Sequence, residues 1–206
     1  NQTVTVNEPL AITITDNTTP VSCNNGNDGA IDITATGGTV SGSYTYSWTG
    51  SNAYSNNTED ISSLPSGSYT VIVTDDNNCN NTASFNITEP TPITITTTTT
   101  NSQCTGSTGS ITATVSGGTT TYSYSWADAL GNPIGGNSPS ITNQPSGVYT
   151  LTVTDFNGCT ETTTATISDD VAPTLTIDNF NDVSCNGAND GLINITATGG
   201  TGTLTY

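Results

Sequence analysis

No lysine, arginine, histidine or methionine occurs among the 206 residues, and 17 carboxylates leave a formal net charge of −17. Each absence removes chemistry. Without histidine or lysine there is no ordinary general base near neutral pH, no Ser–His pair, no Schiff base and no imidazole metal ligand. Without arginine or lysine there is no phosphate clamp, so nucleic acid is repelled. An anionic membrane surface is repelled too, and no apolar run approaches the ~20 residues of a spanning helix, so membrane insertion is not expected. The missing lysine also rules out a Lys–Asn isopeptide cross-link. Lacking both lysine and arginine, the chain offers no site to a trypsin-like protease, which suits life outside the cell.

What is present has strand character. The carboxylates are dispersed rather than blocked, which argues against a disordered polyanion. Ile31, Ile33 and Ala35 alternate with Asp32, Thr34 and Thr36, and Tyr69, Val71 and Val73 alternate with Thr70 and Thr74. That period of two marks half-buried strands, and threonine's branched Cβ suits the pleat.

The strongest signal is internal repetition. Cys23, Cys104 and Cys185 follow one another at 81 residues, and Cys79 and Cys159 are 80 apart. Tyr-x-Tyr-Ser-Trp at 44–48 recurs at 122–126. Pro65-Ser66-Gly67-Ser68-Tyr69-Thr70 recurs as Pro145-Ser146-Gly147-Val148-Tyr149-Thr150, and Val73-Thr74-Asp75 as Val153-Thr154-Asp155. Ile31 to Gly38 returns nearly unchanged as Ile193 to Gly200. The unit is about 80 residues. We expect residues 1–8 to be the last strand of a preceding module, 9–90 and 91–170 to be modules, and 171–206 to be the first half of a further, truncated one. Both ends then read as cuts through a longer protein. The connection Glu89-Pro90-Thr91-Pro92 is no Gly/Ser tether: two prolines favour an extended, stiff path and modules stacked end to end.

Within 9–90 we expect seven short strands, near 10–15, 30–36, 43–48, 50–55, 58–64, 68–75 and 81–88, the fourth being weak. Turn signals at Asn27-Asp28-Gly29, Gly37-Gly38, Pro65-Ser66-Gly67 and Asp75 to Asn78 separate them. The expected fold is all-β: tandem immunoglobulin- or fibronectin-III-like β-sandwiches of about 80 residues. The stripe Tyr44, Tyr46, Trp48 could in principle be an aromatic platform for sugars. So thinly apolar a module needs its large residues inside, and we assign Trp48, Trp126, Tyr69 and Tyr149 to the structural core.

Cys-Asn-Asn-Gly-Asn-Asp-Gly at 23–29, Gly-Gly-Thr at 37–39, Tyr-Thr-Tyr-Ser-Trp, Pro-Ser-Gly-Ser-Tyr-Thr-Val, Val-Thr-Asp and Ile-Thr-Glu-Pro together resemble the SprB-type repeat of very large surface adhesins of gliding Bacteroidetes. The second repeat departs from the pattern, with Thr108-Gly109 in place of Asp28-Gly29. The resemblance implies export by the type IX system, display on the surface of a Gram-negative cell, and a role in gliding or attachment.

Five cysteines in an exported chain imply disulfides, with one partner missing from this stretch. Two pairings stand open. Within modules, the pairs are Cys23–Cys79 and Cys104–Cys159. Strand parity points the other way. If the weak fourth strand forms, five strands separate Cys23 from Cys79 and the two lie at opposite poles. A disulfide needs Cα atoms within about 7 Å. Parity therefore leans towards a staple between neighbours, Cys23–Cys159, with Cys79 reaching back and Cys104 and Cys185 forward.

Asn27, Asp28 and Asp155 are weak calcium candidates, since Ca²⁺ takes such oxygen ligands. Turn-forming Asp and Asn that bind their own backbone are the plainer reading, and no cofactor is otherwise implied. Several Asn-x-Thr sequons (Asn17, Asn56, Asn80, Asn86, Asn194) are expected by composition alone in so Asn/Thr-rich a chain. A paired-carboxylate enzyme is disfavoured, because Asp75-Asp76 becomes Asp155-Phe156 in the second repeat. We therefore expect a non-enzymatic extender of an extracellular surface adhesin or filament, giving a stiff rod; the alternative is a glycan-binding module using the aromatic stripe. Expected partners are neighbouring modules, identical chains in a fibre, and an external surface or glycan met by regions outside this stretch.

Overall fold

The structure is a computed structural model, and it describes residues 4, 6–103 and 106–200. The chain separates into two compact units. The first is built on residues up to Ile93 together with two loops, Gly117–Thr121 and Asp155–Cys159; the second comprises Thr94–Ser116, Tyr122–Thr154 and the chain from Thr160 on.

The first unit is a sandwich of two antiparallel sheets. One contains β1 (Thr13–Thr19), β2 (Gly29–Thr36) and β5 (Ile61–Leu64), in the order β1-β2-β5. The other contains β3 (Thr45–Gly50), β4 (Tyr54–Asn56), β6 (Gly67–Thr74) and β7 (Asn80–Ile87), in the order β4-β3-β6-β7. A three-stranded sheet on a four-stranded one, with first, second and fifth strands on one side, is the immunoglobulin-like arrangement without a strand to complete the smaller sheet. The alternation in β2 and β6 decides the faces. Ile31 and Ile33 point inward from one sheet, and Tyr69, Val71 and Val73 from the other, to meet Trp48, Ile61, Leu64 and Ile87 in one core.

Two expectations need correction. The first strand does not run over 10–15: it begins at Thr13 and continues through Asp16-Asn17-Thr18 to Thr19, paired with β2 along its whole length. The apolar alternation of Leu10, Ile12 and Ile14 misplaces it, because an edge strand is held by ladder hydrogen bonds and needs no apolar run. Leu10 instead gives its carbonyl to the N–H of Gly38, at 2.6 Å, outside any strand. The expected strand at 1–8 is not found where it can be judged: residues 4 and 6–8 lie in no strand, and residues 1–3 and 5 lie outside the described residues.

The weak fourth strand does form. It is three residues long and follows a 3-10 turn at Ser51–Ala53, in which Asn52 and Ala53 carry positive φ of 57° and 58°. Its presence puts five strands between Cys23 and Cys79.

The second unit repeats this plan. Strands β8 (Thr94–Thr100), β9 (Gly109–Ser116) and β12 (Ser140–Gln144) form one sheet in the order β12-β9-β8. Strands β10 (Ser123–Ala127), β11 (Pro133–Ile134), β13 (Gly147–Thr154) and β14 (Thr160–Ile167) form the other, ordered β11-β10-β13-β14. Ile111, Trp126, Ile141, Tyr149, Leu151, Val153 and Ile167 are buried in it. The unit also includes the pair β15 (Thr174–Asn181) and β16 (Leu192–Thr198), whose register slips past Asp178. Leu175, Ile177, Phe180, Ile193 and Ile195 on this pair are exposed. Among the described residues no further strand joins their sheet. The expected third strand of this repeat, ending at Tyr206, reaches beyond the described residues.

Candidate functional site

Cys23 and Cys159 are joined by a disulfide, with Cα atoms 5.7 Å apart and a sequence separation of 136. The in-module pairing Cys23–Cys79 is not formed: Cys79 and Cys185 are free and exposed. Cys104 lies outside the described residues. The physical reason is the odd strand count, which sends Cys23 and Cys79 to opposite ends of the first sandwich.

Each half of the bridge sits in a loop rigidified by a carboxylate. On one side, Asp28 accepts the N–H of Ser22 at 3.0 Å and also its hydroxyl, closing the loop around Cys23. The Ser22 hydroxyl and N–H hold the Asp28 carboxyl below its ordinary value. Gly26 donates to the Cys23 carbonyl at 2.9 Å, and Asn25 takes the turn with φ 57°. The same closure recurs in the third repeat, where Asp190 accepts the Ser184 N–H at 3.0 Å. In the second repeat Thr108 stands where Asp28 does, and its hydroxyl accepts the Gln103 N–H at 2.8 Å.

On the other side, Asp155 is buried at the root of the loop that follows β13. It accepts the N–H groups of Asn157 and Cys159, both at 2.9 Å, and of Thr119 at 2.8 Å. Burial pushes this carboxyl up, but the backbone donors outweigh it and the net shift is downward. Asp75 repeats the arrangement with Asn77, Cys79 and Thr39, at 3.0, 2.8 and 2.8 Å. Hydrogen bonds led by that from Thr39 lower its carboxyl too. With no cation in the sequence, backbone N–H groups are what compensates these two acids.

Around the bridge, side chains and backbone grip the connector. Val21 donates its N–H to the Thr88 carbonyl at 2.9 Å, Asn25 its N–H to the Glu89 carboxylate at 2.6 Å, and Asn24 its Nδ2 to the Pro90 carbonyl at 3.1 Å. From the other flank, Gly118 donates to the Thr91 carbonyl at 2.8 Å. Asn157 spans the two halves, donating from Nδ2 to the Ser22 carbonyl at 2.9 Å and to the Thr119 hydroxyl at 3.1 Å. The neighbouring Gly117 has φ 80°, and a Cβ there would fall onto the Pro92 carbonyl. Only glycine allows that approach.

The other candidate residues lie elsewhere and do other things. Trp48 and Trp126 are buried, and their indole N–H groups donate at 3.0 Å to the Thr58 and Ser138 carbonyls. Tyr69 and Tyr149 are buried with hydroxyls on the carbonyls of Pro65 and Pro145, at 3.0 and 2.8 Å. That is the tyrosine corner of immunoglobulin-like sandwiches. Tyr44 and Tyr46 pack partly buried against the same core. The stripe thus turns its tryptophan inward instead of offering it to a sugar.

Of the calcium candidates, Asp28 and Asp155 are taken up by protein donors, and no group of three or more histidine, cysteine or acidic side chains placed to hold a metal occurs among the described residues. What sequence reasoning missed is the part of the bridge's seat formed by Ser22, Asn24 and Glu89, and the role of Asp75 and Asp155 as buried acceptors of backbone N–H groups. A signal existed, since Ser and Asp six residues apart recur as Ser22/Asp28 and Ser184/Asp190.

Among solved structures, the C-terminal 282-residue fragment of intimin, in complex with the intimin-binding domain of its translocated receptor, is 18% identical with a TM-score of 0.38, covering 84% of this chain and 67% of that one. The amphioxus IgVJ-C2 molecule is 15% identical with a TM-score of 0.32, covering 79% of this chain and 98% of that one. The N-terminal eight immunoglobulin domains of Down Syndrome Cell Adhesion Molecule are 14% identical with a TM-score of 0.33, covering 77% of this chain and 26% of that one. At such TM-scores nothing about function is carried over. No curated protein matches the chain in sequence. The SprB repeat family matches residues 15–53, 96–131 and 177–206, which together make up just over half of the chain. With the cysteine loops, the paired glycines and the Tyr-x-Tyr-Ser-Trp strands falling in those stretches, the chain belongs to the SprB repeat family.

Proposed function

We propose that this chain is a non-enzymatic extender of a cell-surface adhesin, in which repeats of about 80 residues (9–90, 91–170, and 171 onward) follow one another as a stiff rod. The Cys23–Cys159 bridge carries this reading. It ties a loop of the first repeat to a hairpin of the second, beside the Pro-braced connector. A disulfide there resists bending under load, and the bonds to Thr88, Glu89, Pro90 and Thr91 hold the connector from both flanks. Family membership supports an extracellular adhesin repeat, and the disulfide fits an oxidising compartment. Stiffness would serve attachment or gliding by holding an adhesive region away from the cell, and export through the type IX system to a Gram-negative surface belongs to the same reading.

Small-angle X-ray scattering of the 206-residue chain, with and without reductant, tests it. The oxidised chain should scatter as an elongated particle, and reduction should broaden its distance distribution. A compact oxidised particle, or curves identical in both states, would rule out a disulfide-stiffened rod.

A further inference from the structure

We infer that the Cys79 pole of the first repeat is a docking site for the Ser-Cys-Asn loop of another repeat of this kind, a loop that Ser184, Cys185, Asn186 and Gly187 of a second copy of the chain can supply. The template is the bridge already formed. There, two groups of the second repeat and two at the end of the first receive the loop: Cys159 takes Cys23, Asn157 Nδ2 donates to the Ser22 carbonyl at 2.9 Å, the Pro90 carbonyl accepts Asn24 Nδ2 at 3.1 Å, and Glu89 accepts the Asn25 N–H at 2.6 Å.

All four receiving groups recur, residue for residue, at one end of the first repeat: Cys79 and Asn77 within it, Pro9 at its first position and Glu8 just before it. Cys79 is held by Asp75 as Cys159 is held by Asp155, with the cysteine N–H donating to Oδ1 at 2.8 and 2.9 Å respectively. In both cases the aspartate N–H returns to the cysteine carbonyl at 2.9 Å. A cleft of about 400 Å³ lies at this pole, lined by Glu8, Pro9, Leu10, Gly38, Asp75 and Cys79, and Leu10 is 81% exposed beside it.

The inserting loop also recurs. Ser184-Cys185-Asn186 repeats Ser22-Cys23-Asn24, closed by Asp190 as the first is closed by Asp28, each with its serine N–H at 3.0 Å. Ala188 donates to the Cys185 carbonyl at 3.0 Å as Gly26 does to Cys23 at 2.9 Å. Gly187, at φ 87°, takes the left-handed turn that Asn25 takes at φ 57°. Cys79 and Cys185 are thus two exposed thiols of complementary kind, each in a loop closed by the same hydrogen bonds as that of its bonded counterpart. The contact joins unlike surfaces, so it propagates head to tail rather than closing a dimer.

Bond formation needs an oxidant, and a small-molecule disulfide such as oxidised glutathione suffices. The Cys79 thiolate attacks one sulfur of the glutathione disulfide and expels one glutathione thiolate. The Cys185 thiolate then attacks the Cys79 sulfur of the mixed disulfide and expels the second. The two protein thiols lose two electrons and two protons, and both appear on two molecules of reduced glutathione.

The experiment incubates the 206-residue chain carrying Cys104→Ser, which leaves four cysteines in the sequence, in a glutathione redox buffer. Non-reducing electrophoresis follows, then mapping of linked peptides after cleavage at Asp and Glu. We expect a concentration-dependent ladder whose links are predominantly Cys79–Cys185. Asn77→Ala should lower the yield of that link by about fivefold to tenfold, the effect of losing one docking hydrogen bond, while Cys79 keeps its reactivity towards iodoacetamide and Cys23–Cys159 stays intact. Absence of oligomers overturns the inference. So do Cys79–Cys79, Cys185–Cys185 and Cys79–Cys185 links in the proportions of random pairing, or a yield that Asn77→Ala leaves unchanged. The readout is linkage identity, so it is independent of rod stiffness: a flexible chain can still link head to tail, and a stiff one can fail to.

Discussion

Asn157 donates from its side-chain Nδ2 to the backbone carbonyl of Ser22, 135 residues earlier in the chain, at 2.9 Å. The same nitrogen reaches the Thr119 hydroxyl at 3.1 Å, and the disulfide of Cys159 to Cys23 lies beside it. A polar clamp and a covalent clamp therefore act on one loop, and they can be separated experimentally.

Removing the covalent clamp should cost the most. A loop closed between residues 136 positions apart is worth about 5 kcal/mol in the chain-entropy account, as an upper figure. Cys23→Ser should lower the unfolding free energy of the first sandwich markedly, while Asn157→Ala should lower it by about 1 kcal/mol. Urea unfolding followed by tryptophan fluorescence measures both. Equal midpoints for wild type and Cys23→Ser would show that the bridge does not stabilise the fold.

The lowered carboxyls make stability depend on pH with a definite sign. Asp75, Asp155 and Asp28 all titrate below their ordinary value of 3.8 in the folded chain. Their contribution is therefore complete above the unfolded value and is lost as pH falls through the folded one. Thermal melts should be flat from neutral pH down to about 5 and then decline. Asp75→Asn, which removes one such anion, should be less stable at pH 7 than wild type and should show a shallower acid decline. At the alkaline end, burial and the neighbouring Glu59 push Tyr46 up to about 12. Its contribution is complete below pH 10 and is lost as pH rises from there towards 12. A melt that holds constant down to pH 2 would contradict the acid assignment.

Core and corner aromatics should respond very differently to substitution. Trp48 is 1% exposed and Tyr69 is fully buried. Trp48→Ala should cost about 3–5 kcal/mol through the cavity it leaves. Tyr69→Phe keeps the ring and removes only the hydroxyl bond to the Pro65 carbonyl, so it should cost about 1 kcal/mol. Chemical denaturation of each variant distinguishes them. If Trp48→Ala proved neutral, its assignment to the core would be wrong.

Gly117 and Gly131 offer a matched pair. Both have positive φ, 80° and 84°, but a Cβ at Gly117 meets the Pro92 carbonyl whereas one at Gly131 meets nothing. Gly131→Ala should cost only the backbone strain, about 1 kcal/mol, and Gly117→Ala should cost clearly more because the connector must also shift. Thermal melts of the two variants give the comparison, and equal losses would show that the connector does not press on Gly117.

Much of the fold is legible without coordinates because it follows from local periodicity. Ile31 and Ile33 alternate with polar residues, and so do Tyr69, Val71 and Val73; the structure puts them on the two inner faces. The edge strand β1 is legible only in part. Its polar half, Asp16 to Thr19, has no inward face to mark it and owes its conformation to pairing with β2. The roles of Asp75 and Asp155 are hidden for a related reason. In sequence each is one more turn aspartate, and only the fold brings Thr39 or Thr119 within hydrogen-bond reach.

Sequence alone determined the repeat, the all-β sandwich, the inward placement of Trp48 and Tyr69, and the exclusion of imidazole, amine and guanidinium chemistry, because composition and short-range pattern carry those properties. Tertiary structure alone decided which cysteine meets Cys23. Two sulfurs separated by 136 residues become partners only if folding brings their Cα atoms to bonding range, here 5.7 Å. That outcome turned on whether the three residues Tyr54–Asn56 formed a strand, since one strand more or less sends Cys79 to the other pole.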